Sequence, residues 1–309
     1  MILLAIVLAL LLEQVRPQAA DSHWLRSWWL WPQAVAHNID NGEPSRAWLA
    51  WILAVALPAL AVGLAHGVLQ WLGGWPLTLA WMVVVLYFSL GLRHFSQHFV
   101  GVRNAFQLGD EERARELLGQ WLGREVPEQS RSELIRLVLE QSFLASHRLV
   151  FGVLIWFCIL AAPGLGPAGA VFYRLATIVA RQWDPDARMR EGAVSAPLAR
   201  VAATAWFLID WLPARTTALG LAIVGSFEDA IDVWRRFAAR FPDVNDGVIL
   251  AAASGAMNVR LGGAQAAANP LPGESPASGH FARAVGLLWR LLALWLLLLV
   301  LLTLAHVLG

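Results

Sequence analysis

The sequence contains no lysine and a single cysteine. Because all 23 basic residues are arginine, mechanisms that need a lysine Schiff base, a lysine nucleophile or a P-loop lysine are excluded. The lone Cys158 lies in the apolar run Leu-Ile-Trp-Phe-Cys-Ile-Leu, so the chain offers neither a disulfide framework nor a thiolate metal cage. We therefore expect Cys158 to be buried and chemically inert.

Charge is also scarce in this sequence. Charged residues make up 15% of the chain, and the formal net charge is only +1. Because no basic excess is present to hold a phosphate backbone, we expect no nucleic-acid partner. Apolar residues make up 58% of the 309 residues, compared with roughly 45–50% in ordinary soluble domains. The composition predicts an all-α, multi-pass membrane protein that has the lipid bilayer as a partner.

Long apolar runs locate the candidate membrane segments, of which we expect about four to six. The first run, 1–12, would rise only about 18 Å as a helix, short of the roughly 30 Å hydrocarbon layer, and is interpreted as an uncleaved anchor. The runs 48–72 and 77–92 are separated by Gly73, Gly74 and Pro76, which predicts a helical hairpin. Further segments are predicted at 149–171, which contains a Gly/Pro break, and at 285–308.

Polar segments separate these runs within what we interpret as a single membrane domain, 1–309. Residues 93–148 contain eight arginines and eight acidic residues, which predicts a soluble helical excursion. Ser130 and Glu133 have capping-box spacing, so a helix should begin near Arg131. Residues 174–198 are expected to form a charged, solvated loop. Residues 264–282 have the composition of a flexible linker.

Residues 199–227 can be read in two ways, as a membrane-spanning helix or as a buried helix that does not span. The segment is mostly apolar but contains Asp210 and Arg215 on either side of Pro213. Charged residues at membrane depth are costly unless they are paired, so we predict that these two side chains form an interior pair around a proline kink.

The arginine distribution predicts the orientation. If residues 1–12 and 199–227 both cross, the loops 13–47, 93–148 and 228–284 share one side and contain sixteen arginines, against five between Arg174 and Arg200 on the other. Loops rich in arginine stay in the cytoplasm. This predicts that residues 93–148 lie in the cytoplasm.

Two polar patterns could carry chemistry, and each has a structural alternative. His94 and His98 are spaced i, i+4 as in zinc sites, but two ligands do not make a site and interfacial histidines are the favoured reading. Glu140 and His147 share a helix face and could act as an acid–base pair or simply end an exposed helix. No phosphate-binding glycine motif of the usual spacing occurs, and we expect no metal site.

Residues 87–263 resemble the CobD/CbiB family of cobalamin-biosynthesis membrane proteins. The resemblance is carried by YFSLGLRHFSQHFVGVRNAFQLGDEERAR, by Gly123-Arg124-Glu125, by the helix that bears Glu140, by Gly169-Ala170 with Tyr173, by Pro213-Ala214-Arg215 and by NDGVILAAASGAMNVRLGG. It implies a synthase that condenses an aminopropanol phosphate with adenosylcobyric acid at the membrane. ATP and a divalent ion, Mg²⁺, would take part in that reaction.

The resemblance also implies which functions are retained and which are lost. Positions that are acidic in the family are occupied here by Leu144, Arg148, Ala180, Trp206 and Phe207. A hard cation needs oxygen ligands, so these changes predict the loss of efficient Mg-ATP chemistry. The ligand-binding candidates that remain are Arg124, Glu125, Glu140, Asp210, Arg215, Asn245 and Arg260. They predict binding of an anionic, phosphorylated or corrinoid ligand, and a homo-oligomer is possible.

A second resemblance implies a different class of function. The string IDWLPARTTALGLAIVGSF and the opening LLLEQ are similar to AmpE, a membrane protein linked to a peptidoglycan amidase and β-lactamase regulation. This alternative implies a non-enzymatic sensor or regulator. The missing acidic residues favour it, whereas the Arg-Leu-Gly-Gly motif favours the cobalamin family.

Overall fold

A computed structural model describes residues 1–15, 23–184, 194–263 and 271–308, without the side chains of 23–26, 92–94 and 306–308. The model is 83% helical, which confirms the predicted all-α fold. The helices are α1 (Ile2–Val15), α2 (His23–Ile39), α3 (Pro44–Trp51), α4 (Leu57–Ser89), α5 (Leu92–Gln107), α6 (Glu111–Leu122), α7 (Arg131–Ser146), α8 (Gly152–Ala161), α9 (Ala168–Gln182), α10 (Ala196–Val224), α11 (Phe227–Phe237), α12 (Val244–Met257) and α13 (His280–Leu308). Short π-helical segments, Ile52–Ala56 and His147–Phe151, connect α3 to α4 and α7 to α8.

Four stretches of helix are long and apolar enough to cross a membrane, judged by length and composition over the described residues. They are Pro44–Ser89, Arg131–Ala161, Ala196–Val224 and His280–Ala305. The expectation of a membrane protein is confirmed by these helices. Helix α1 is shorter, as the sequence predicts for residues 1–12.

The chain divides into two compact units. The first consists of Met1–Gly91 with Arg148–Pro213, and the second of Leu92–His147 with Ala214–Gly309.

In the first unit, the turn at Gly73 to Pro76 reverses the chain within α4. Gly74 has φ 63° and ψ −155°, a backbone conformation that is not helical and that divides α4 into two helices. The Trp81 indole N–H donates to the Val62 carbonyl at 3.4 Å, although the two residues are 19 positions apart. A continuous helix would separate them by about 28 Å at 1.5 Å per residue. The predicted hairpin is therefore confirmed.

A second hairpin of the first unit replaces the single membrane segment expected at 149–171. Helix α8 ends at Ala161 and α9 begins at Ala168, so the Gly/Pro break reverses the chain instead of kinking it. The two helices pack closely because glycine faces the partner helix at two points. A Cβ at Gly169 would lie 1.8 Å from the Trp156 carbonyl oxygen, and one at Gly152 would lie 2.1 Å from the Tyr173 ring.

The prediction of a charged loop at 174–198 is wrong for residues 174–182, which are helical. Helix α9 continues to Gln182 and contains both Arg174 and Arg181. Arg174 interacts electrostatically with Glu13 of α1, whose side chain is buried. The helix continues because its buried face, Leu175 to Val179, remains apolar past the first arginine. Residues 185–193 of the expected loop lie outside the described residues.

In the second unit, helix starts follow local sequence signals. The Ser130 hydroxyl accepts a hydrogen bond from the Glu133 N–H, which confirms the predicted start of α7. The Asp110 carboxylate caps α6 in the same way. Helix α12 is capped by Asp243, whose carboxylate accepts from the N–H groups of Asn245 and Asp246. Such caps satisfy amide donors that a helix leaves unpaired at its start.

Helices α11 and α12 form the tightest pair of the second unit. A Cβ at Gly255 would lie 2.4 Å from the Asp229 carbonyl oxygen, so only glycine allows this approach. The amphipathic α11 presents Ala230 and Val233 to the core. This core is formed by Ala218, Val233, Ala238, Val248, Ala251, Ala252 and Leu271. Leu271 belongs to the segment expected to be a flexible linker, and Glu274 in the same segment forms a backbone bridge with Val259.

Candidate functional site

The Glu140 carboxylate joins two motifs that are far apart in the sequence. Glu140 lies on the third turn of α7, and its Oε1 accepts a hydrogen bond from the Gly262 N–H at 2.6 Å. The same oxygen accepts from Arg136 at 2.6 Å. Gly262 belongs to the turn of residues 258–263, which contains Arg-Leu-Gly-Gly and is called the Arg260 loop below. The second unit thus brings the predicted site residue Glu140 to the loop of Arg260.

Arg136 is held between two carboxylates of its own helix. Its Nε and a terminal nitrogen contact Glu133 Oε2 at 2.9 and 2.8 Å, and its other terminal nitrogen contacts Glu140. Only 11% of the Arg136 side chain is exposed, so its charge is nearly buried and is neutralised within the protein. A Cβ at Gly263 would lie 2.7 Å from the guanidinium carbon, which places this glycine directly against Arg136.

The Arg260 loop is also tied to residues 274 and 275. It begins at Asn258, which ends α12 in the left-handed conformation with φ 55°. The Arg260 N–H donates to the Glu274 carbonyl at 2.9 Å, and the Glu274 N–H donates to the Asn258 carbonyl at the same distance. The Arg260 guanidinium is exposed and donates to the Ser275 hydroxyl at 2.7 Å. The loop thus presents the Arg260 guanidinium at the surface, while hydrogen bonds to Glu274 and Glu140 hold its backbone in place.

Arg215 and Asn245 form a second contact within the same unit. Arg215 lies on α10 and donates to the Asn245 side-chain oxygen at 3.0 Å. Asn245 is completely buried on the first turn of α12, where it follows the capping Asp243. The half-buried Arg215 is therefore positioned at the start of α12. A helix start favours negatively charged ligands, as does arginine.

Buried polar groups continue along the end of α7. His147 is fully buried, and its Nδ1 lies 2.9 Å from the Thr217 hydroxyl of α10. His147 also begins a π-helical segment, a feature often found at functional sites. Glu140, by contrast, bonds to the Arg260 loop. The acid–base pairing of Glu140 with His147 stays a prediction.

The other candidate residues lie elsewhere. Arg124 and Glu125 are exposed in the segment between α6 and α7. Asp210 belongs to the first unit, where it is completely buried and accepts a hydrogen bond from the Tyr173 hydroxyl at 2.7 Å. The interaction predicted between Asp210 and Arg215 also stays a prediction.

The donors that the structure describes do not fit a magnesium site. Over the part of the chain that the structure describes, no cluster of three or more His, Cys, Asp or Glu side chains could hold a metal ion. Glu140, which bonds to the Arg260 loop, and Glu133 are both bonded to Arg136. The Glu274 carboxylate, whose backbone also bonds to the loop, lies 3.2 Å from the His280 ring. Trp206, at a position that is acidic in the resembled family, packs against the Tyr173 ring with 5.5 Å between centroids. The ring of His98 stacks on Trp121, while the His94 side chain lies outside the description.

Sequence reasoning missed Arg136, Thr217, Ser275 and the hydroxyl of Tyr173 as partners of the candidate residues. The one usable signal was the spacing of Glu133, Arg136 and Glu140, which places three charges on one helix face. Nothing in that spacing indicates that the Arg260 loop packs on it.

Comparison with known proteins assigns the chain to a family. The sequence matches the family described as CobD/Cbib protein over residues 2–288. It is 28% identical to the cobalamin biosynthesis protein CobD of Stutzerimonas stutzeri, over 96% of this chain and 97% of the relative. The identity to the CobD proteins of Chromobacterium violaceum and Mycobacterium tuberculosis is 32% and 31%, covering 69% and 68% of this chain and 67% and 65% of theirs.

No solved structure matches the chain significantly. The AmpE-like alternative finds no support in these comparisons. The family match covers both hairpins of the first unit, the helix of Glu140 and the Arg260 loop. The chain therefore belongs to the CobD/CbiB family.

Proposed function

We propose that this chain acts in cobalamin biosynthesis as a membrane protein that binds a phosphorylated or carboxylated ligand without efficient Mg-ATP-dependent amide synthesis. The relatives named as cobalamin biosynthesis proteins support the pathway. The observation that carries the binding role is the Glu140–Gly262 hydrogen bond, because it fixes the loop that exposes Arg260.

Arginine supplies the chemistry for such a ligand. A guanidinium has five N–H donors in a fork that matches phosphate or carboxylate oxygens. Arg260 is exposed, and the Ser275 hydroxyl takes one of its donors. Arg215 and Arg124 are further candidates, one at the start of α12 and the other exposed after α6. In the resembled family the anion would be an aminopropanol phosphate and its acceptor adenosylcobyric acid.

The proposed weakness in synthesis follows from the carboxylates. Mg²⁺ in nucleotide sites is bound through carboxylates together with phosphates. Here Arg136 bonds to both Glu133 and Glu140 and offsets part of their charge, and Leu144 and Trp206 stand where the resembled family is acidic. Because fewer carboxylates remain to hold a metal ion, ligand binding can persist while turnover is lost.

We further propose that the membrane is the bacterial inner membrane and that residues 93–148 face the cytoplasm. The arginine-rich segments that flank the first hairpin support this orientation. It would place the Arg260 loop, which contacts α7, on the side where phosphorylated metabolites are found.

Thermal unfolding of the detergent-purified protein tests the proposal. Aminopropanol phosphate should raise the melting temperature of the unmodified chain, and Arg260→Ala should abolish the increase. Arg236→Ala is a matched control because Arg236 is also exposed in the second unit, where it pairs only with Asp232 of its own helix. Product should remain scarce when adenosylcobyric acid and Mg-ATP are added. Rapid conversion by the unmodified protein would contradict the proposal.

A further inference from the structure

We propose that Arg136 is a positioning residue, which holds the Arg260 loop in its ligand-binding conformation without touching the ligand. The inference rests on the proposed anion-binding function of that loop. It assigns a task to a charged side chain that the binding proposal itself does not use.

The nitrogen atoms of Arg136 are already committed within the protein. Nε and one terminal nitrogen contact Glu133, and the other terminal nitrogen contacts Glu140. With 11% of the side chain exposed, the guanidinium presents little surface to a ligand. A cation held between two carboxylates also attracts an external anion weakly, because their charges offset its own. Arg136 is therefore better suited to support than to direct binding.

Two successive glycines of the Arg260 loop lie on the Arg136–Glu140 pair. The Gly262 N–H donates to the same Glu140 oxygen that Arg136 contacts. Gly263 lies so close to the guanidinium that a Cβ would approach its carbon and both terminal nitrogens within 2.8 Å. Gly263 also has φ 52°, where residues with a side chain are strained. The Gly262–Gly263 turn therefore packs directly on the planar Arg136 guanidinium, which supports it.

The Arg260 loop is anchored on one side by the Arg136–Glu140 pair and on the other by Glu274. Its own N–H bonds to the Glu274 carbonyl, and Gly262 begins the contact with α7 two residues later. Loss of the α7 anchor would leave one end of the turn unattached. The guanidinium of Arg260 would then have to be ordered when the ligand binds, which lowers affinity.

Substitution of Arg136 by lysine tests the inference because lysine keeps the charge and loses the planar fork. We expect Arg136→Lys to weaken binding of aminopropanol phosphate about tenfold, with faster hydrogen exchange at the Gly262 amide. Arg131→Lys is the matched control, because Arg131 lies on the same helix and pairs with Glu111 away from the loop. The control should leave both readouts unchanged.

A second variant separates support from direct ligand contact. Gly263→Ala leaves the Arg136 charge in place but pushes the loop off the guanidinium, so it should weaken binding to a similar degree. Weaker binding in Arg136→Lys with an unchanged Gly262 exchange rate would mean that Arg136 contacts the ligand, and would overturn the inference. Unchanged affinity of the folded Arg136→Lys protein would also overturn it.

A failure of the positioning role of Arg136 can be distinguished from a failure of the proposed function. If the unmodified protein does not bind aminopropanol phosphate, the proposed function itself fails. If the unmodified protein binds, Arg260→Ala does not, and Arg136→Lys binds normally, only the positioning role fails. If Arg136→Lys does not fold, Glu140→Gln replaces it, since glutamine keeps an acceptor for Gly262 but loses the ion pair with Arg136. This variant should show the same two changes.

Discussion

Glu140 accepts a hydrogen bond from the Gly262 N–H although 122 positions separate the two residues in the sequence. Through this contact, the first part of the candidate membrane-spanning stretch Arg131–Ala161 holds a loop that exposes an arginine. Arg136 bonds to the same oxygen and offsets the charge of this carboxylate, which weakens its attraction for a metal ion. The contact thus supports both the retained anion binding and the weak synthase chemistry that we propose.

The Tyr173–Asp210 hydrogen bond should be important for stability. Tyr173→Phe would leave the completely buried Asp210 carboxylate without this donor, at a cost of about 1–3 kcal/mol in the free energy of unfolding. Thermal or denaturant unfolding would measure the loss. Thr204→Val is a suitable control, since it removes an exposed hydroxyl from α10 that bonds only within its helix. An unchanged free energy of unfolding in Tyr173→Phe would contradict the assigned role.

The close approach of α8 and α9 makes Gly169 intolerant of any side chain. A Cβ at this position would lie 1.8 Å from the Trp156 carbonyl oxygen, so Gly169→Ala must separate the helices. We expect a loss of about 1–3 kcal/mol or more in the free energy of unfolding, or failure to accumulate in the membrane. Gly67→Ala in α4 is the control, because nothing lies within 4 Å of its Cβ position. Normal stability of Gly169→Ala would mean that the hairpin packs differently.

The stability of the first unit should depend on pH through Asp40. Burial acts to raise the pKa of Asp40, but hydrogen bonds from the Ser195 hydroxyl and amide and from the Gly42 amide outweigh it and lower the pKa below 3.8. The Ser195 N–H lies 2.7 Å from the carboxylate. The resulting stabilisation is fully present above the unfolded-state pKa and is lost as the pH falls through the folded-state value.

Asp40→Asn should therefore flatten the fall in melting temperature of the protein between about pH 5 and pH 2. Above that range the variant should be less stable than the unmodified protein, because asparagine carries no charge and has one acceptor oxygen where Asp40 uses two, Oδ1 for the Gly42 N–H and Oδ2 for the Ser195 N–H. A melting profile of Asp40→Asn that follows the unmodified protein at every pH would contradict the assignment.

The orientation can be tested by cysteine labelling in a Cys158→Ser background. Gln120 of α6 is exposed, and a cysteine there should resist an impermeant thiol reagent in intact cells and react after lysis. A cysteine in place of Trp75, which is 64% exposed at the tip of the first hairpin, should react in intact cells. Labelling of the two positions in the reverse order would mean that the chain has the opposite topology.

The sequence predicts the first hairpin correctly and mistakes the second for a single segment. Gly73, Gly74 and Pro76 stand between two long apolar runs, so the reversal is visible locally. After α8, a similar Gly/Pro break reverses the chain because Gly169 allows contact with Trp156. Whether a break kinks or reverses a helix depends on such tertiary contacts, which no local pattern encodes.

The contacts of the candidate residues were not predictable from the sequence. Family motifs pointed to Glu140 and Arg260, and the structure places their segments together. Arg136 was missed because an arginine four residues before a glutamate usually forms an ordinary surface ion pair. The Tyr173 hydroxyl, which comes from another helix and donates to Asp210, was not visible in the sequence. A single sequence gives no information on such long-range pairing.

Calorimetric titration of aminopropanol phosphate into the purified protein, with and without Mg-ATP, tests the central claim most directly. The account predicts saturable binding that does not require Mg-ATP, persists in Arg236→Ala and disappears in Arg260→Ala. Binding that appears only with Mg-ATP, or that survives in Arg260→Ala, would contradict the claim that the Arg260 loop holds the anion by itself.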